Sequence, residues 1–154
     1  MSGDPIYYLD TSVFLRGLHD KSPAATAWIN GQLAAGSTIV ASRLLETETW
    51  RTIRNARIAN RKTPMDDDVT RWLDEIERID VTRALLADAG KLNVTIRTSD
   101  AVHVATALAL LPRSVVVVTH DAQMATAVQV LIPTNPNLTV IDPVTDDVNR
   151  APVA

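Results

Sequence analysis

The run of four valines from Val115 to Val118 constrains the fold of this 154-residue chain more than any other stretch. Consecutive β-branched residues favour a strand, and the lack of polar alternation indicates that both faces of this strand are buried. A strand buried on both faces is typical of the interior of a parallel sheet, which helices cover on its two sides. The chain is therefore expected to alternate strands with helices.

Shorter apolar runs supply the other strands of that alternation. Their lengths and flanking residues predict strands at residues 6–9, 38–41, 78–81 and 138–141. Helices fill the intervals, and Gly36 and Pro112 mark the ends of two of them. The pattern predicts one domain over residues 1–142, a three-layer α/β/α sandwich with a central, mostly parallel sheet. Residues 143–154 are polar and contain proline, and we expect this tail to fray.

Composition and charge restrict the class of protein. Hydrophobic residues make up 46% and charged residues 21% of the chain, which is typical of a globular domain. The chain has no cysteine, so disulfides and thiolate metal sites are excluded. No apolar run approaches the roughly 18 residues of a membrane span, and the first residues lack a basic segment, so we expect a cytoplasmic protein with no membrane partner. The net charge of −3 means that a nucleic acid must be bound by a local basic patch.

Four acidic residues fall where predicted strands end or the following helices begin: Asp10, Glu46, Asp100 and Asp121. Because strand ends and helix starts meet at one edge of a parallel sheet, these carboxylates are expected to converge in one crevice. Crowded carboxylates need a neutralising cation, and a hard divalent ion such as Mg²⁺ or Mn²⁺ prefers oxygen ligands. Such a site supports hydrolysis of phosphodiester bonds. The competing explanation is that Asp10 only caps a helix and that acids at helix starts only favour the helix dipole.

Segments that contain these acids resemble PIN-domain ribonucleases in order and spacing, and the VapC toxins of bacterial toxin–antitoxin pairs most of all. The segments are Leu-Asp-Thr-Ser at 9–12, Leu-Glu at 45–46, Ser-Asp-Ala-Val-His-Val-Ala-Thr-Ala at 99–107 and Val-Thr-His-Asp at 118–121. The block at 99–107 is the most specific of them. The likeness extends from Ile6 to Ile141, which is nearly the whole chain.

The resemblance implies a five-stranded sheet in the order 3-2-1-4-5 and an endoribonuclease toxin that depends on Mg²⁺ or Mn²⁺. It implies an acidic site of Asp10, Glu46, Asp100 and Asp121, in which we predict that Asp10 and Asp100 are the primary metal ligands. Some members have a further acid three residues beyond the last one, where this chain has Met124. Asp121 and Glu46 are therefore expected in secondary roles, Asp121 behind the ligands or at a second, weaker metal.

Partners also follow from the resemblance. It implies an RNA substrate, for which tRNA and rRNA are candidates, and a cognate VapB-like antitoxin that inhibits the enzyme. It further implies a homodimer, in which each subunit keeps its own acidic crevice. The antitoxin is expected to place a basic side chain among the acids and so to compete with the metal.

Three residues near the predicted acids have both a structural and a functional interpretation. Thr11 and Thr119 are expected to cap helices or turns, and a hydroxyl at the edge of a metal site also positions water. His103 follows Asp100 by three residues, so the two share a helix face. A structural role is favoured for a histidine on so apolar a helix, and contact with RNA or with a carboxylate is the alternative.

An arginine stripe offers the local basic patch that RNA would need. The helix predicted to run to about residue 60 carries Arg54, Arg57 and Arg61, which would share one face. Contacts with RNA phosphates explain this stripe, and a solvated surface explains it equally well.

Two alternatives stay open in the sequence. The helix predicted over residues 101–111 is apolar on nearly every face, so either another helix of the chain or a second subunit covers its outer side. The retained acids favour an active nuclease, and the rival interpretation is a catalytically inactive PIN-like module that only binds RNA or protein. A dehalogenase-type phosphotransfer site is disfavoured, because Ser12 stands where that chemistry needs a second aspartate.

Overall fold

The centre of the molecule is a sheet of parallel strands. The computed structural model describes residues 3–144, and its strands are β1 (Ile6–Leu9), β2 (Thr38–Ser42), β3 (Glu77–Ile79), β4 (Val115–Val118) and β5 (Leu138–Ile141). They lie in the order β3-β2-β1-β4-β5, and every neighbouring pair is parallel. The predicted five-stranded sheet and its strand order are confirmed.

Helices form the connections that parallel strands require. Those of the described residues are α1 (Thr11–Leu18), α2 (Pro23–Ala34), α3 (Leu44–Ile58), α4 (Asp66–Asp74), α5 (Arg83–Gly90), α6 (Thr98–Leu108) and α7 (Ala122–Leu131). The hydroxyl of Ser22 caps α2 by accepting a hydrogen bond from the backbone of Ala25, and Thr82 caps α5 through Leu85 in the same way. Small hydroxyl residues therefore fix these two helix starts.

Two apolar cores lie on opposite faces of the sheet, which confirms the three-layer arrangement. Alternate residues of a strand point to opposite faces. Accordingly, Tyr7 and Leu9 of β1 pack with residues of α1, α2, α3 and α4, whereas Ile6 and Tyr8 pack with residues of α6 and α7. The valines of β4 alternate in the same manner, so this strand packs against both cores.

Helix α6 is covered on its outer side by α5 of the same chain. Leu85 and Ala89 of α5 pack with Val102 and Ala105 of α6 in a third apolar cluster. Of the two covers that the sequence allows, the neighbouring helix is therefore present, and α6 does not require a second subunit.

The helix that carries the arginine stripe ends slightly before the predicted position. Helix α3 ends at Ile58, and Asn60 has a positive φ of 56° that takes the chain out of the helix. Helix α4 begins at Asp66, and the side chain of Arg57 holds the segment before it through hydrogen bonds.

The strand register places the ends of β1 and β4 side by side. Leu9 pairs with Val118, and the backbone N–H of Asp10 donates to the carbonyl of Val118 at 2.9 Å. Asp10 and Thr119 therefore follow neighbouring strands at the same edge of the sheet.

The C-terminal tail that we predict to fray lies mostly outside the described residues, since the description ends at residue 144. Val144 itself is buried and packs in the core beneath α1, α2, α3 and α4. Over the described part of the chain, no helix combines the length and apolar character needed to cross a membrane.

Candidate functional site

Asp10 lies at the carboxyl end of β1 with only 4% of its surface exposed. It occupies the N-cap position of α1, yet its side chain makes no capping hydrogen bond. Its Oδ2 atom instead accepts hydrogen bonds from the hydroxyls of Ser12 (2.6 Å) and Thr119 (2.8 Å). The explanation of Asp10 as only a helix cap therefore fails, because its carboxylate is directed toward the end of β4.

The hydroxyls that hold Asp10 are themselves fixed by the turn after β4. Oγ1 of Thr119 accepts a hydrogen bond from the backbone N–H of Asp121 (3.1 Å), and Oγ of Ser12 accepts one from His120 (3.0 Å). Each hydroxyl thus donates to the carboxylate and accepts from the backbone. The orientation of Asp10 is set by two segments of the chain at once.

The guanidinium of Arg97 joins two further acids, Asp100 and Asp121. Asp100 lies in the first turn of α6 with 5% of its surface exposed, and its Oδ2 accepts a hydrogen bond from Nε of Arg97 (3.0 Å). Asp121 caps α7 through Oδ1, which accepts from the backbone of Gln123 and Met124, while its Oδ2 accepts from Nη2 of Arg97 (3.1 Å). The sequence interpretation missed Arg97, for which the available signal was a positive charge three residues before Asp100.

The pKa of Asp100 is raised, mainly because the carboxyl group is buried. Burial raises this pKa, because the charged carboxylate loses contact with water. The hydrogen bond and charge of Arg97 lower it, but the charges of Asp121 and Asp10 raise it again, and the net direction is upward. Burial therefore outweighs the guanidinium of Arg97, and it is the main reason why the neutral form of Asp100 is favoured more than it is in an exposed carboxyl.

Glu48 of α3 reaches the same region through His103 of α6. The Oε1 atom of Glu48 lies 2.5 Å from Nε2 of His103 and accepts a hydrogen bond from the hydroxyl of Thr11 (3.2 Å). The imidazole is buried, and its Nε2 atom is 4.0 Å from Oδ1 of Asp10. Both interpretations of His103 thus hold in part: it is a buried residue of the core, and it contacts a carboxylate of the site.

The structure does not bring Glu46 into the acidic cluster, which consists of Asp10, Asp100, Asp121 and Glu48. The carboxylate of Glu46 pairs with Arg78 of β3 (2.6 Å) and more loosely with Arg43 (3.7 Å). Glu46 and Glu48 flank the buried stripe of α3 on opposite sides, since two positions on a helix are roughly 200° apart. Glu48 is therefore the glutamate near Asp10, and the sequence interpretation, which assigned this role to Glu46, missed it.

The donor atoms of the cluster suit the divalent cation that the sequence predicts. Asp10, Asp100 and Asp121 offer only carboxylate oxygens, which hard ions such as Mg²⁺ and Mn²⁺ prefer. The guanidinium between Asp100 and Asp121 shows that a cation is favoured at this place. Within residues 3–144, no three acidic or histidine side chains converge closely enough to form a complete metal site. An ion held by Asp10 and Asp100 would therefore complete its coordination with water.

The predicted arginine stripe is only partly present. Arg54 and Arg57 are exposed on α3, but Arg61 lies beyond the end of the helix, so the three do not share one helix face. Arg57 is engaged within the protein, where it bonds to Thr63 (2.9 Å) and pairs with Asp66 (2.6 Å). Arg54 and Arg61 are the members of the stripe that remain candidates for contact with RNA.

Comparisons with known proteins agree with this description. The sequence model of the PIN domain family matches residues 7–128 of the chain. No curated protein sequence matches it. Among solved structures, the chain is similar to one in the crystal structure of VapBC2 from Rickettsia felis bound to a DNA fragment from their promoter, with a TM-score of 0.62, 16% identity, and coverage of 89% of this chain and 98% of that one.

A second similar structure is PAE2754 from Pyrobaculum aerophilum. Its TM-score is 0.56 at 16% identity, and the similarity covers 96% of this chain and 90% of that one. Identities this low indicate a shared fold, and the family match carries the assignment beyond it.

Proposed function

The chain belongs to the PIN domain family, and on that premise we propose that it is a metal-dependent endoribonuclease of the VapC toxin type. The observation that carries the proposal is the placement of two almost fully buried carboxylates, Asp10 and Asp100, at one edge of the sheet. Asp121 and Glu48 lie beside them. Burial of a carboxylate is costly unless a cation or hydrogen-bond donors compensate it, and several acids buried close together are typical of a site that binds a cation.

Asp10 and Asp100 would hold Mg²⁺ or Mn²⁺, which lowers the pKa of a bound water and shields charge on a phosphate. Asp121 supports them from the start of α7, where one of its oxygens caps the helix. Met124, where some family members have a further acid, is fully buried in the apolar core. That position therefore contributes no ligand, and the proposed site depends on the other acids.

We assign to Glu48 the place in the acidic site that the resemblance implies for Glu46, and in addition the role of general base. One carboxylate oxygen of Glu48 is occupied by His103 and Thr11. In the proposed reaction the other oxygen accepts a proton from the attacking water, as a general base does when it lies within hydrogen-bond reach. His103 fixes the orientation of Glu48 for this step.

The proposed partners are RNA, a cognate antitoxin and a second copy of the chain. Arg54 and Arg61 supply phosphate contacts on the surface of the molecule. An antitoxin of the VapB type would inhibit by placing a basic side chain among the acids, where Arg97 already shows that a guanidinium fits. The homodimer cannot rest on α6, whose outer side α5 covers, and exposed Leu86 of α5 and Val130 of α7 are among the apolar side chains of the described residues that could contact a second copy. We propose a cytoplasmic location, where RNA is present.

RNA cleavage by the purified chain tests the proposal. The chain is incubated with total RNA in Mn²⁺ or Mg²⁺ and in EDTA, beside Asp10→Asn, Asp100→Asn and Glu46→Gln. Cleavage is expected in the presence of metal, with loss in both aspartate variants and retention in Glu46→Gln, whose side chain pairs with Arg78 outside the site. Binding of RNA without cleavage under all these conditions would instead favour the inactive binding module.

The assembly and the inhibitor need separate measurements. Light scattering at micromolar concentration is expected to give twice the chain mass of 16.8 kDa, and the monomer mass throughout would remove the dimer from the proposal. Calorimetry of the antitoxin against the wild type and Asp100→Asn is expected to show weaker binding by the variant. Equal affinities would mean that the inhibitor does not reach the acids.

A further inference from the structure

Arg97 combines an exposed side chain with a contact to two acids. About two thirds of the side chain is exposed (68%), yet Nε and Nη2 bind two carboxylates that are 21 residues apart in sequence, Asp100 and Asp121. Both acids are less exposed than the arginine, at 7% and 24% of their side chains. The planar guanidinium matches such a paired contact, because its donors lie in a rigid fork.

The partners of Arg97 are held in place, whereas Arg97 is not. Asp121 is fixed by the backbone N–H groups at the start of α7, and Asp100 lies in the first turn of α6. Arg97 itself precedes α6 and projects from the segment before it. If one partner of this contact moves, it is therefore the long and exposed arginine side chain.

A divalent cation at this edge of the sheet competes with the guanidinium for the same oxygens. The cation carries twice the charge of the guanidinium, and its attraction to the carboxylates increases in proportion to that charge. A displaced guanidinium would stay close by, because Arg97 also lines an open groove of about 830 Å³ between residues 93–97 and α7. The groove carries Asn93, Gln123 and Thr126 among its lining residues, and it includes no acid.

We propose that Arg97 is the internal counter-ion of the acidic site, that a divalent cation displaces it, and that the displaced guanidinium binds a phosphate of the nucleic-acid strand in this groove. The second half of the proposal rests on the proposed function, since it assumes a nucleic-acid substrate. The first half concerns only the cation and the chain. A guanidinium is suited to the new role, because phosphate accepts the same two-donor contact as carboxylate.

Calorimetry with Mn²⁺ alone tests the first half. Wild type is compared with two variants, Arg97→Gln and Arg113→Gln. The second is the control: it also removes one positive charge, but from an exposed residue before β4, at the opposite edge of the sheet. Arg97→Gln is expected to bind Mn²⁺ on the order of tenfold more tightly than wild type, because the ion no longer displaces a cation. Arg113→Gln is expected to match wild type, and equal affinity in all three proteins would overturn the proposal.

Thermal denaturation adds a readout that separates a counter-ion from a permanent structural clamp. In EDTA, Arg97→Gln is expected to melt below wild type, because Asp100 and Asp121 repel each other without the guanidinium. Saturating Mn²⁺ should close this difference if the ion takes over the role of the arginine. A difference that persists in Mn²⁺ would identify a structural clamp and overturn the proposal.

The salt dependence of nucleic-acid binding tests the second half. A short single-stranded oligodeoxynucleotide offers the same phosphates, and a gel run after each measurement verifies that it is intact. With Mn²⁺, Arg97→Gln is expected to lower the slope of log K against log salt by roughly 0.7, the value for one phosphate contact on a single strand. In EDTA the slopes of variant and wild type are expected to agree, because Arg97 is then bound to the acids. Equal slopes in Mn²⁺ would overturn the phosphate contact.

The two proposals fail in distinguishable ways. If Arg97→Gln binds Mn²⁺ more tightly but the wild type cleaves no RNA, the counter-ion stands and the endoribonuclease is wrong. If the wild type cleaves RNA but Arg97→Gln binds Mn²⁺ as wild type does, the endoribonuclease stands and the counter-ion is wrong.

Discussion

The imidazole of His103 connects Glu48 at the edge of the sheet to Tyr8 inside the core. Its Nε2 atom lies 2.5 Å from Oε1 of Glu48, and its Nδ1 atom lies 2.8 Å from the hydroxyl of Tyr8. Burial raises the pKa of Tyr8, and the charge of Asp10 raises it further, so the phenol remains neutral. A neutral phenol and a carboxylate thus hold the two ring nitrogens of His103, which in turn fixes the direction of Glu48.

The first prediction follows from this arrangement. Glu48→Gln keeps the size of the side chain but removes its charge and its ability to accept a proton. We expect RNA cleavage to fall by about 10²-fold or more, the typical loss when a general base is removed. The rate of cleavage at saturating RNA measures this loss.

Glu46→Gln is the matched control for this prediction, because it makes the same chemical change two residues earlier on α3. Its carboxylate pairs with Arg78 and Arg43, and the variant is expected to cleave RNA at nearly the wild-type rate. Equal losses in the two variants would contradict the assignment of Glu48, and a loss only in Glu46→Gln would restore the original prediction.

The second prediction concerns the pH dependence of stability in EDTA. Burial lowers the pKa of His103, but the hydrogen bond to Glu48 and the charges of Asp10, Glu48 and Asp100 raise it more, and the net direction is upward. The folded protein therefore favours the protonated imidazole. This contribution to the free energy of unfolding is complete below the ordinary pKa of histidine and is lost as the pH rises through the raised pKa.

Urea unfolding between about pH 6 and pH 8 measures this effect, since histidine is the side chain that ordinarily titrates there. The free energy of unfolding is expected to fall with pH by at most about 1.4 kcal/mol per unit, the slope for one proton. His103→Gln should remove this slope. A wild-type protein whose stability rises over this range would contradict the predicted direction.

Much of the fold was predictable because the strands are short apolar runs with clear ends. Strands β4 and β5 have the predicted bounds. The four consecutive valines of β4 strongly favour a strand over a helix or a loop. Strand β3 was harder, since it spans only three residues, Glu77–Ile79, and none of them is buried. Helix α3 ends where Asn60 takes a positive φ, and no periodicity in the sequence indicates such a turn.

The site was predictable as far as strand ends determine it. The ends of the predicted strands and the starts of the predicted helices placed Asp10 and Asp100 at one edge of the sheet, and in the structure Asp10 follows β1 and Asp100 lies in the first turn of α6. The choice between Glu46 and Glu48 could not be made from helical periodicity, because both positions flank the buried stripe of α3. It depends on which flank faces α6, and that is set by packing between distant segments. Arg97 was missed for the same reason, since its contact with Asp121 joins two different loops.

The third prediction separates the arginines of the stripe. Arg57→Ala is expected to lower the free energy of unfolding by about 1 kcal/mol, because it removes an exposed ion pair and the hydrogen bonds to the segment before α4. The double variant Arg54→Ala and Arg61→Ala is expected to keep its stability. Its salt slope of RNA binding should fall by roughly 1.4, which is 0.7 for each lost phosphate contact. An unchanged slope in the double variant would mean that Arg54 and Arg61 do not contact RNA phosphates and are only solvated surface residues.

The last prediction concerns Thr119, whose buried hydroxyl donates to Asp10 and accepts from the backbone of Asp121. Thr119→Val keeps the shape of the side chain and removes both hydrogen bonds. We expect the free energy of unfolding to fall by about 1–3 kcal/mol, because the buried carboxylate of Asp10 and the partly buried backbone N–H of Asp121 each lose a hydrogen bond. The Mn²⁺ affinity should fall as well, since the carboxylate of Asp10 is no longer held in one orientation.

Thr119→Ser makes that test specific to the hydroxyl. It keeps both hydrogen bonds and removes a buried methyl group, which lowers the free energy of unfolding by about 1 kcal/mol. Both variants are thus expected to be less stable than wild type, but only Thr119→Val should bind Mn²⁺ more weakly, as calorimetry measures. If both variants bind Mn²⁺ like wild type, the hydroxyl stabilises the end of β4 and does not orient Asp10 for the metal. If both bind it more weakly, packing around the methyl group and not the hydrogen bond controls the carboxylate.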